Sequence, residues 1–483
     1  MHNSYKLIIM NKKIILLLSL WIGVTGFGFS QNQPTITYTL EDCINIAIEN
    51  NLDLKIQELR AKSSEVNFKE NRNKIFPSLN MNYNLGINNG RSIDPFTNSY
   101  INQELTFSSS GLNLNVTIFN GFKIKNEIKQ SRFNLQASEM EIEEAKQNLT
   151  LEVTLLYIQI LNFRDVLKLS KARLITTEAQ LKRLESQYKN GIGNPADFTD
   201  MQGQYSIDES EIITNENSLK SAVLNLVKLL SIDIDSENIF KNDFELVKLE
   251  NYQISSDDIY TDALENLATF KSKQLQIDAA KTGIKAAKAN YFPEISLFSQ
   301  LNTNYSSVAQ IFTETGTSTI ETGDFVSVSG QEYAILRNQT QFKGSKIDYR
   351  DQFENNLNSV VGVAVRVPIF NGFQTKNKVR IEKIQLEEAQ INLKQTKFIF
   401  KQSIQEAYNN METSFKRYQV LKKQVIAYEE SFRVNEVRFN NGVSNIVEYI
   451  TSKNNMDSSR LLLTITKYEY LLRVKILDYY RGV

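Results

Sequence analysis

Side chains able to do covalent chemistry are almost absent from this chain. Its only histidine is His2 and its only cysteine is Cys43. His-based triads and His or Cys metal sites are therefore excluded from the body of the sequence. One cysteine cannot close an internal disulfide. Cys43 sits among Leu40, Ile44, Ala47 and Ile48 and reads as a packed thiol. Serines and aspartates are plentiful, but no motif pairs a nucleophile with a positioned base, which argues against an enzyme. The acids that stand out do so by position. Asn194 and Asp197 flank Pro195, and Asn445 and Glu448 share the same three-residue spacing. Each pair follows an Asn-Gly, at Asn190-Gly191 and Asn441-Gly442. The spacing suits a helix start, with the acid complementing the dipole or closing a capping box.

Those two sites are copies of one another. Ile118-Phe119-Asn120-Gly121-Phe122 returns as Ile369-Phe370-Asn371-Gly372-Phe373, an offset of 251 that Gly191 and Gly442 share. Upstream, Ala47-Ile48-Glu49-Asn50 resembles Ala263-Leu264-Glu265-Asn266, and Phe76-Pro77 resembles Phe292-Pro293, both offset by 216. The difference of 35 is an insertion in the second copy. A long unit repeated with fixed internal lengths is an architectural part. The four glycines, Gly121, Gly191, Gly372 and Gly442, read as turn residues with positive φ.

Composition narrows the partners. The 483 residues hold 55 basic and 55 acidic side chains, so nothing electrostatic points to nucleic acid. Residues 1–30 have the form of an export signal, with Met10 as an alternative start. Lys12 and Lys13 precede the apolar run Ile14–Ile22, and Gly28 and Ser30 stand before Gln31. No cysteine follows that run closely enough for a lipid anchor. Beyond residue 30 no apolar run reaches the ~18 residues of a spanning helix. Any membrane span must therefore be made of strands.

Strands of that kind are present. Leu79, Met81, Tyr83, Leu85 and Ile87 alternate with Ser, Asn and Gly over 78–87. Leu112, Leu114, Val116 and Ile118 do so over 110–118, and Val361 to Ile369 repeat the pattern. Over 295–301 Phe298 blurs it. Period two over about ten residues is the signature of a tilted outer-membrane strand. Long polar connections, 88–109 and 303–358, lie at one end of these hairpins. Phe76, Phe119, Phe122, Tyr291, Phe292, Phe370 and Phe373 cluster at the other like an interfacial girdle. Four strands cannot close a barrel, and open edges in lipid cost several kcal/mol per unpaired group. The chains must assemble: two copies give eight strands and a filled interior, three give twelve and a lumen. Arg366 falls on the inward-facing set.

The remainder is helical. Residues 123–188 contain no Pro or Gly, and apolar residues recur every seven from Ile128 to Phe163. The register slips by four to Leu167, Leu174, Leu181 and Tyr188, and the copy at 374–439 slips likewise. Sustained heptads mean coiled-coil packing, and a four-residue slip unwinds it locally. Some 66 residues run about 100 Å. Helices at 40–74, 196–230, 257–290 and 446–480 are about half as long, so two stacked end to end match one long helix. The expected domains are a leader (1–30), a first repeat (31–230), an equatorial linker (231–256) and a second repeat (257–483).

This layout resembles the TolC-like outer membrane efflux protein family over residues 38–480. The opening helix, Tyr38 to Asn51, and the turn Pro368 to Phe373 carry the likeness. The resemblance implies a mainly α protein with a membrane β-barrel. Its duplicated coiled-coil hairpins and four strands per chain assemble as a homotrimer. A twelve-stranded barrel then continues into a periplasmic α-helical tunnel. A periplasmic adaptor and an inner-membrane pump dock on it, and no cofactor is implied. The family narrows the tunnel's periplasmic end with acidic rings. Glu448 stands at the first such position, and Thr451 replaces the second acid. Asn445 replaces an arginine and Phe439 a tyrosine of the gate-locking set. Asp197 matches an acid of the first repeat, with Asp200 one turn on. A cap and a constriction remain equal readings of these acids. The tip residues Gly191, Ile192, Gly442 and Val443 are candidates for adaptor contact. A periplasmic coiled-coil rod is the alternative, but it leaves the amphipathic strands unexplained. The cargo is not legible.

Overall fold

The structure is a computed structural model and describes residues 37–232, 239–241 and 249–483. The leader at 1–30 and much of the linker at 231–256 lie outside the described residues. Strand β1 (Thr37–Tyr38) leads into α1 (Leu40–Asn50) and α2 (Leu52–Asn73). Strands β2 (Ser78–Asn88), β3 (Arg91–Ile93), β4 (Tyr100–Asn102) and β5 (Leu105–Asn120) follow. Then come the 67-residue helix α3 (Lys123–Lys189) and α4 (Pro195–Leu230). After β6 (Ile239–Phe240) the pattern returns with α5 (Ser256–Asn266), α6 (Ala268–Lys288) and β7 (Glu294–Ser306). A long hairpin, β8 (Gln310–Val328) and β9 (Gln331–Lys346), precedes α7 (Tyr349–Asn355) and β10 (Asn358–Arg366). The chain ends with the 67-residue α8 (Gln374–Asn440) and α9 (Ile446–Arg481).

Two compact units share the long helices. One takes the chain up to Leu52, Leu149–Gln253 and Asn409–Ile476; the other takes Asp53–Asn148, Ile254–Tyr408 and Leu477–Val483. In the first unit β1 and β6 pair in parallel. The buried Tyr157 hydroxyl lies 3.0 Å from Tyr38 O and 2.6 Å from Lys241 O, tying both strands to α3. Heptad positions such as Leu149, Val425 and Phe432 are buried, as coiled-coil seams require.

The second unit contains the sheet, in the order β10-β7-β5-β2, all antiparallel. Leu79 pairs with Leu114, Met81 with Leu112, Leu112 with Leu301, and Leu297 with Val363. Directly paired residues project from one face, so the apolar positions form a continuous apolar face. Asn80, Asn113, Gln300 and Asn115 define the polar face. Phe298 is on the polar face for a local reason. It is paired with Gly362, whose added Cβ would meet the ring at 2.6 Å. Phe107 covers Gly86 in the same way, at 2.7 Å. Each ring fills the space a glycine leaves on the neighbouring strand.

Three expectations need correction. The helices expected at 40–74 and 257–290 each break at one extended residue, Asn51 (ψ 125°) and Leu267 (ψ 132°). The breaks lie 216 residues apart, as the other upstream repeats do. Asn51 offsets the interruption with a hydrogen bond from its amide to Leu229 O, 2.9 Å, and Leu267 by near-complete burial. The last strand stops at Arg366 rather than 369, because Pro368 lacks an N–H and restricts Val367. The chain also has more than four strands: the long polar connections hold β3 and β4 over 88–109 and the β8–β9 ribbon and α7 over 303–358.

Candidate functional site

The hairpin tips belong to the first unit. Gly191 (φ +73°) and Gly442 (φ +74°) turn the chain from each long helix into the short one. Beyond them Ile192 and Val443 are 80% and 68% exposed. Asn194 caps α4, its Oδ1 accepting from Ala196 N at 3.1 Å and its Nδ2 donating to Asp197 at 3.1 Å. Asn445 accepts from Glu448 N at 2.9 Å, and the Glu448 carboxylate accepts from Ser444 Oγ at 2.8 Å. Arg438 lies 4.0 Å from the same carboxylate. Glu448, Asp200, Asn445 and Thr451 are exposed, and Asp197 is half-buried. The acids at 197 and 448 thus take part in helix capping while remaining open to solvent.

An apolar plug sits behind the tips. Leu184, Met201, Phe432, Ile446, Tyr449 and Met456 are buried together, with Phe439 packed at the edge. Phe439 meets the Tyr449 ring at 4.9 Å. Burial, aided by the charge of Glu436, pushes the Tyr449 hydroxyl far above the ordinary phenol range. The polar neighbour of that hydroxyl is Gln180, which partly offsets the rise without forming a well-aligned hydrogen bond.

Farther along the same helices is a buried ionic network. Arg173 of α3 reaches Asp208 of α4 at 2.9 Å and Glu211 at 2.9 Å. Lys453 of α9 lies 2.8 Å from Asp457 and 3.6 Å from Asp208. Thr177 donates to Asp208 at 2.5 Å, and Gln204 donates to it at 2.7 Å. Asn454 bridges Arg173 and Gln204. Lys453 and the Asp208 side chain are 1% and 0% exposed. Such charges are tolerated only when paired.

In the second unit, strands pass into the long helices through a repeated turn. Gly121 (φ +65°) and Phe122 (φ +64°) are both left-handed, as are Gly372 (φ +60°) and Phe373 (φ +62°). A non-glycine residue in this region is uncommon. The strain places Phe122 edge-on to Phe119 (5.5 Å, 84°) and Phe373 edge-on to Phe370 (5.4 Å, 89°). Lys125 and Lys376 stand over those rings at 5.8 and 5.6 Å. Arg366 is paired in the ladder with Glu294 and shares a cavity with Lys123 and Lys378. Leu79, Met81, Leu85, Val361 and Val363 are each more than 60% exposed, and β2 and β10 are free edges.

The outer membrane efflux protein family matches residues 43–231 and 259–478, leaving out the first 42 residues, the linker between the repeats and the last five residues. The chain belongs to this family. TolC of Escherichia coli strain K12 is 20% identical over 462 residues, spanning 94% of this chain and 84% of that protein. Toxin and drug export protein A of Aggregatibacter actinomycetemcomitans is 20% identical over 377 residues, 76% of this chain and 71% of that one. Among solved structures, CusC superimposes with a TM-score of 0.73 at 17% identity, covering 94% and 96% of the two chains. The open state of MtrE from Neisseria gonorrhoeae gives 0.68 at 15% identity, covering 92% and 88%. The fold is that of an outer membrane efflux channel. The protein's place is the outer membrane. Among the described residues no helix is long and apolar enough to cross a membrane.

Within this efflux protein the structure brings Asn194 to Asp197 and Asn445 to Glu448, as their spacing predicts. Among the described residues no hydrogen bond or ion pair joins Asp200 or Thr451 to those acids. Sequence reasoning missed the network of Arg173, Asp208, Lys453 and Asp457. The available signal was the pair Lys453 and Asp457, four apart on a helix and flanked by the buried Met456.

Proposed function

We propose that three copies of this chain close a twelve-stranded barrel and serve as the passive exit duct of a tripartite efflux or type I secretion system. The observation that carries this reading is the four-stranded sheet, apolar on one face, polar on the other and unpaired at both edges. Eight strands would fill their interior with side chains, whereas Asn, Ser and Gly on the polar face suit a water-filled lumen of twelve. Neighbouring copies pair β2 with β10, which removes both edges.

The chain carries out no chemistry of its own. A periplasmic adaptor grips the exposed tips at Gly191, Ile192, Gly442 and Val443, and an inner-membrane pump supplies the energy. Three copies of Glu448 and Asp197, with Asp200, Asn445 and Thr451 beside them, narrow the periplasmic entrance and favour cations. Their capping bonds hold the carboxylates in place. Arg366 and Lys378 set the charge where the barrel meets the tunnel.

Planar-bilayer recording of the purified protein tests the reading. A heat-modifiable trimer with discrete conductance steps is expected, and Glu448→Ala should weaken block by divalent cations. A monomer that never conducts removes the duct. Unchanged block in Glu448→Ala removes that residue from the entrance.

A further inference from the structure

The ribbon β8–β9 is built as though for a neighbour. Its root is fixed: Gln352 of α7 accepts from Ser306 N at 2.9 Å and donates to Ser306 O and Ile347 O at 2.9 and 2.8 Å. Thr303 donates to Phe353 O at 2.7 Å, and Asn356 to Asn304 O at 2.9 Å. Beyond that root the two strands pair only with each other. An isolated two-stranded hairpin is marginal in water. This one also leaves large apolar side chains bare on both faces.

The ladder sorts the side chains. Bulges at Glu314/Gly316 and Glu321/Phe325 shift the register, so faces are read from paired residues. One face carries Phe312, Phe325, Leu336 and Phe342, each at least 60% exposed, together with Glu314, Glu321 and Glu332. Its only cation is Lys346, at the root. The opposite face carries Val326, Tyr333 and Ile335, together with Arg337 and Lys343, and its one acid is Asp324, in the bulge beside Phe325. Among the described residues Glu314, Glu321, Glu332, Arg337 and Lys343 form no ion pair within the ribbon, and the three glutamates stand on the face away from the two cations. The acidic apolar face of one ribbon matches the basic apolar face of another.

We infer that the ribbons of three copies pack face to back around the exit of the duct, acidic face on basic face, as a collar. The inference rests on the trimeric reading above. The contact is heterologous, with different surfaces meeting, and three such contacts close a ring. It continues the β2-to-β10 pairing between the same copies, because β7, which feeds the ribbon, lies in that sheet. A second copy is therefore the one partner already at hand with both the apolar surface and the opposite charge.

Cysteine cross-linking tests this in cells or proteoliposomes. Glu321 pairs with Leu336 and Ile320 with Arg337, so Glu321 and Arg337 stand level on opposite faces. The native Cys43 is fully buried and does not interfere. Under mild oxidation Glu321→Cys with Arg337→Cys should give covalent dimers and trimers, and either substitution alone should lose those bands. Both sites are in the exposed ribbon, so folding of the sheet is not at risk. A native trimer without cross-links, or cross-links from a single substitution, overturns the collar and leaves the duct standing. A protein that is monomeric in detergent overturns both.

Discussion

Replacing Lys453 by methionine isolates what the buried network does. The methionine fills a similar volume but removes one of two buried cations. Arg173 and Lys453 balance Asp208 and Asp457, and Glu211 adds a partly exposed partner. After the change, Asp457 keeps only Arg173 Nε at 3.6 Å. Asp208 still accepts from Thr177 and Gln204 and pairs with Arg173, so the uncompensated charge falls mainly on Asp457. Breaking a buried pair in this way costs about 3–5 kcal/mol. For a unit of this size that lowers the melting temperature by roughly 6–20 °C. Lys453→Met with Asp457→Leu removes both charges and leaves Arg173 on Asp208, so most of the loss should return. The measurement is helical circular dichroism of the detergent-extracted protein at one fixed scan rate, because unfolding of such assemblies is kinetic. A Lys453→Met protein as stable as the parent, or a double variant worse than both singles, refutes the argument.

Other expectations can be checked on the same material. Tyr449→Phe deletes a buried hydroxyl whose contact with Gln180 is poorly aligned, so it should be neutral or raise stability by up to about 1 kcal/mol. Gly121→Ala and Gly372→Ala both force alanine into left-handed backbone, at about 1–2 kcal/mol each. At Gly121 the new Cβ also meets Phe292 Cβ at 2.6 Å and Ala289 O at 2.7 Å, whereas at Gly372 nothing lies within 4 Å. Gly121→Ala should therefore melt lower, by a further ~1–3 kcal/mol of overpacking. Burial of Asp94 pushes its pKa up, but hydrogen bonds from Ser306, Thr97 and the Phe96 and Thr97 backbone outweigh this and hold it below 3.8. A depressed carboxyl stabilises above its unfolded value and loses that contribution as pH falls through the folded one. Hydrogen exchange at the Phe96 and Thr97 amides should be protected at neutral pH and released only in strong acid; Asp94→Ala, which removes both acceptor oxygens, should release it at any pH.

The long helices were legible because one signal, an apolar residue every seven, persisted for about ten turns from Ile128 to Phe163 and about eight from Val379 to Ala407. The sheet was legible where alternation was clean, at Leu79 to Ile87, and less so where Phe298 answers a glycine on another strand rather than its own neighbours. The ribbon was not legible. Residues 313–319 offer no large apolar side chain, and two bulges exchange the faces midway, so no single period runs its length. At the tips, the cap geometry of Asn194 and Asn445 followed from spacing, since a cap is local in sequence. The ionic network did not, because Arg173 and Asp457 are 284 positions apart and each alone resembles a solvated charge on a helix.

That separation gives the network its meaning. Helices α3 and α8 begin 251 residues apart, as do α4 and α9, so each residue has an equivalent in the other repeat. Arg173 and Asp208 correspond to Gln424 and Ser459; Lys453 and Asp457 correspond to Gln202 and Ser206. The first repeat therefore supplies one cation and one acid, the second supplies the other two, and all four equivalents are uncharged. Two first repeats packed together would lack Lys453, and two second repeats would lack Arg173. Neither can rebuild the contacts from Asp208 to Lys453 and from Arg173 to Asp457. Heptad seams alone do not distinguish one copy of a duplicated hairpin from the other, since both present the same apolar stripe. Buried polar groups at a seam do make that distinction, as a lone asparagine fixes register in coiled coils. Here the charges fix which repeat packs on which, and they do so close to the tips, where the duplicated chain must present two different loops in a set order.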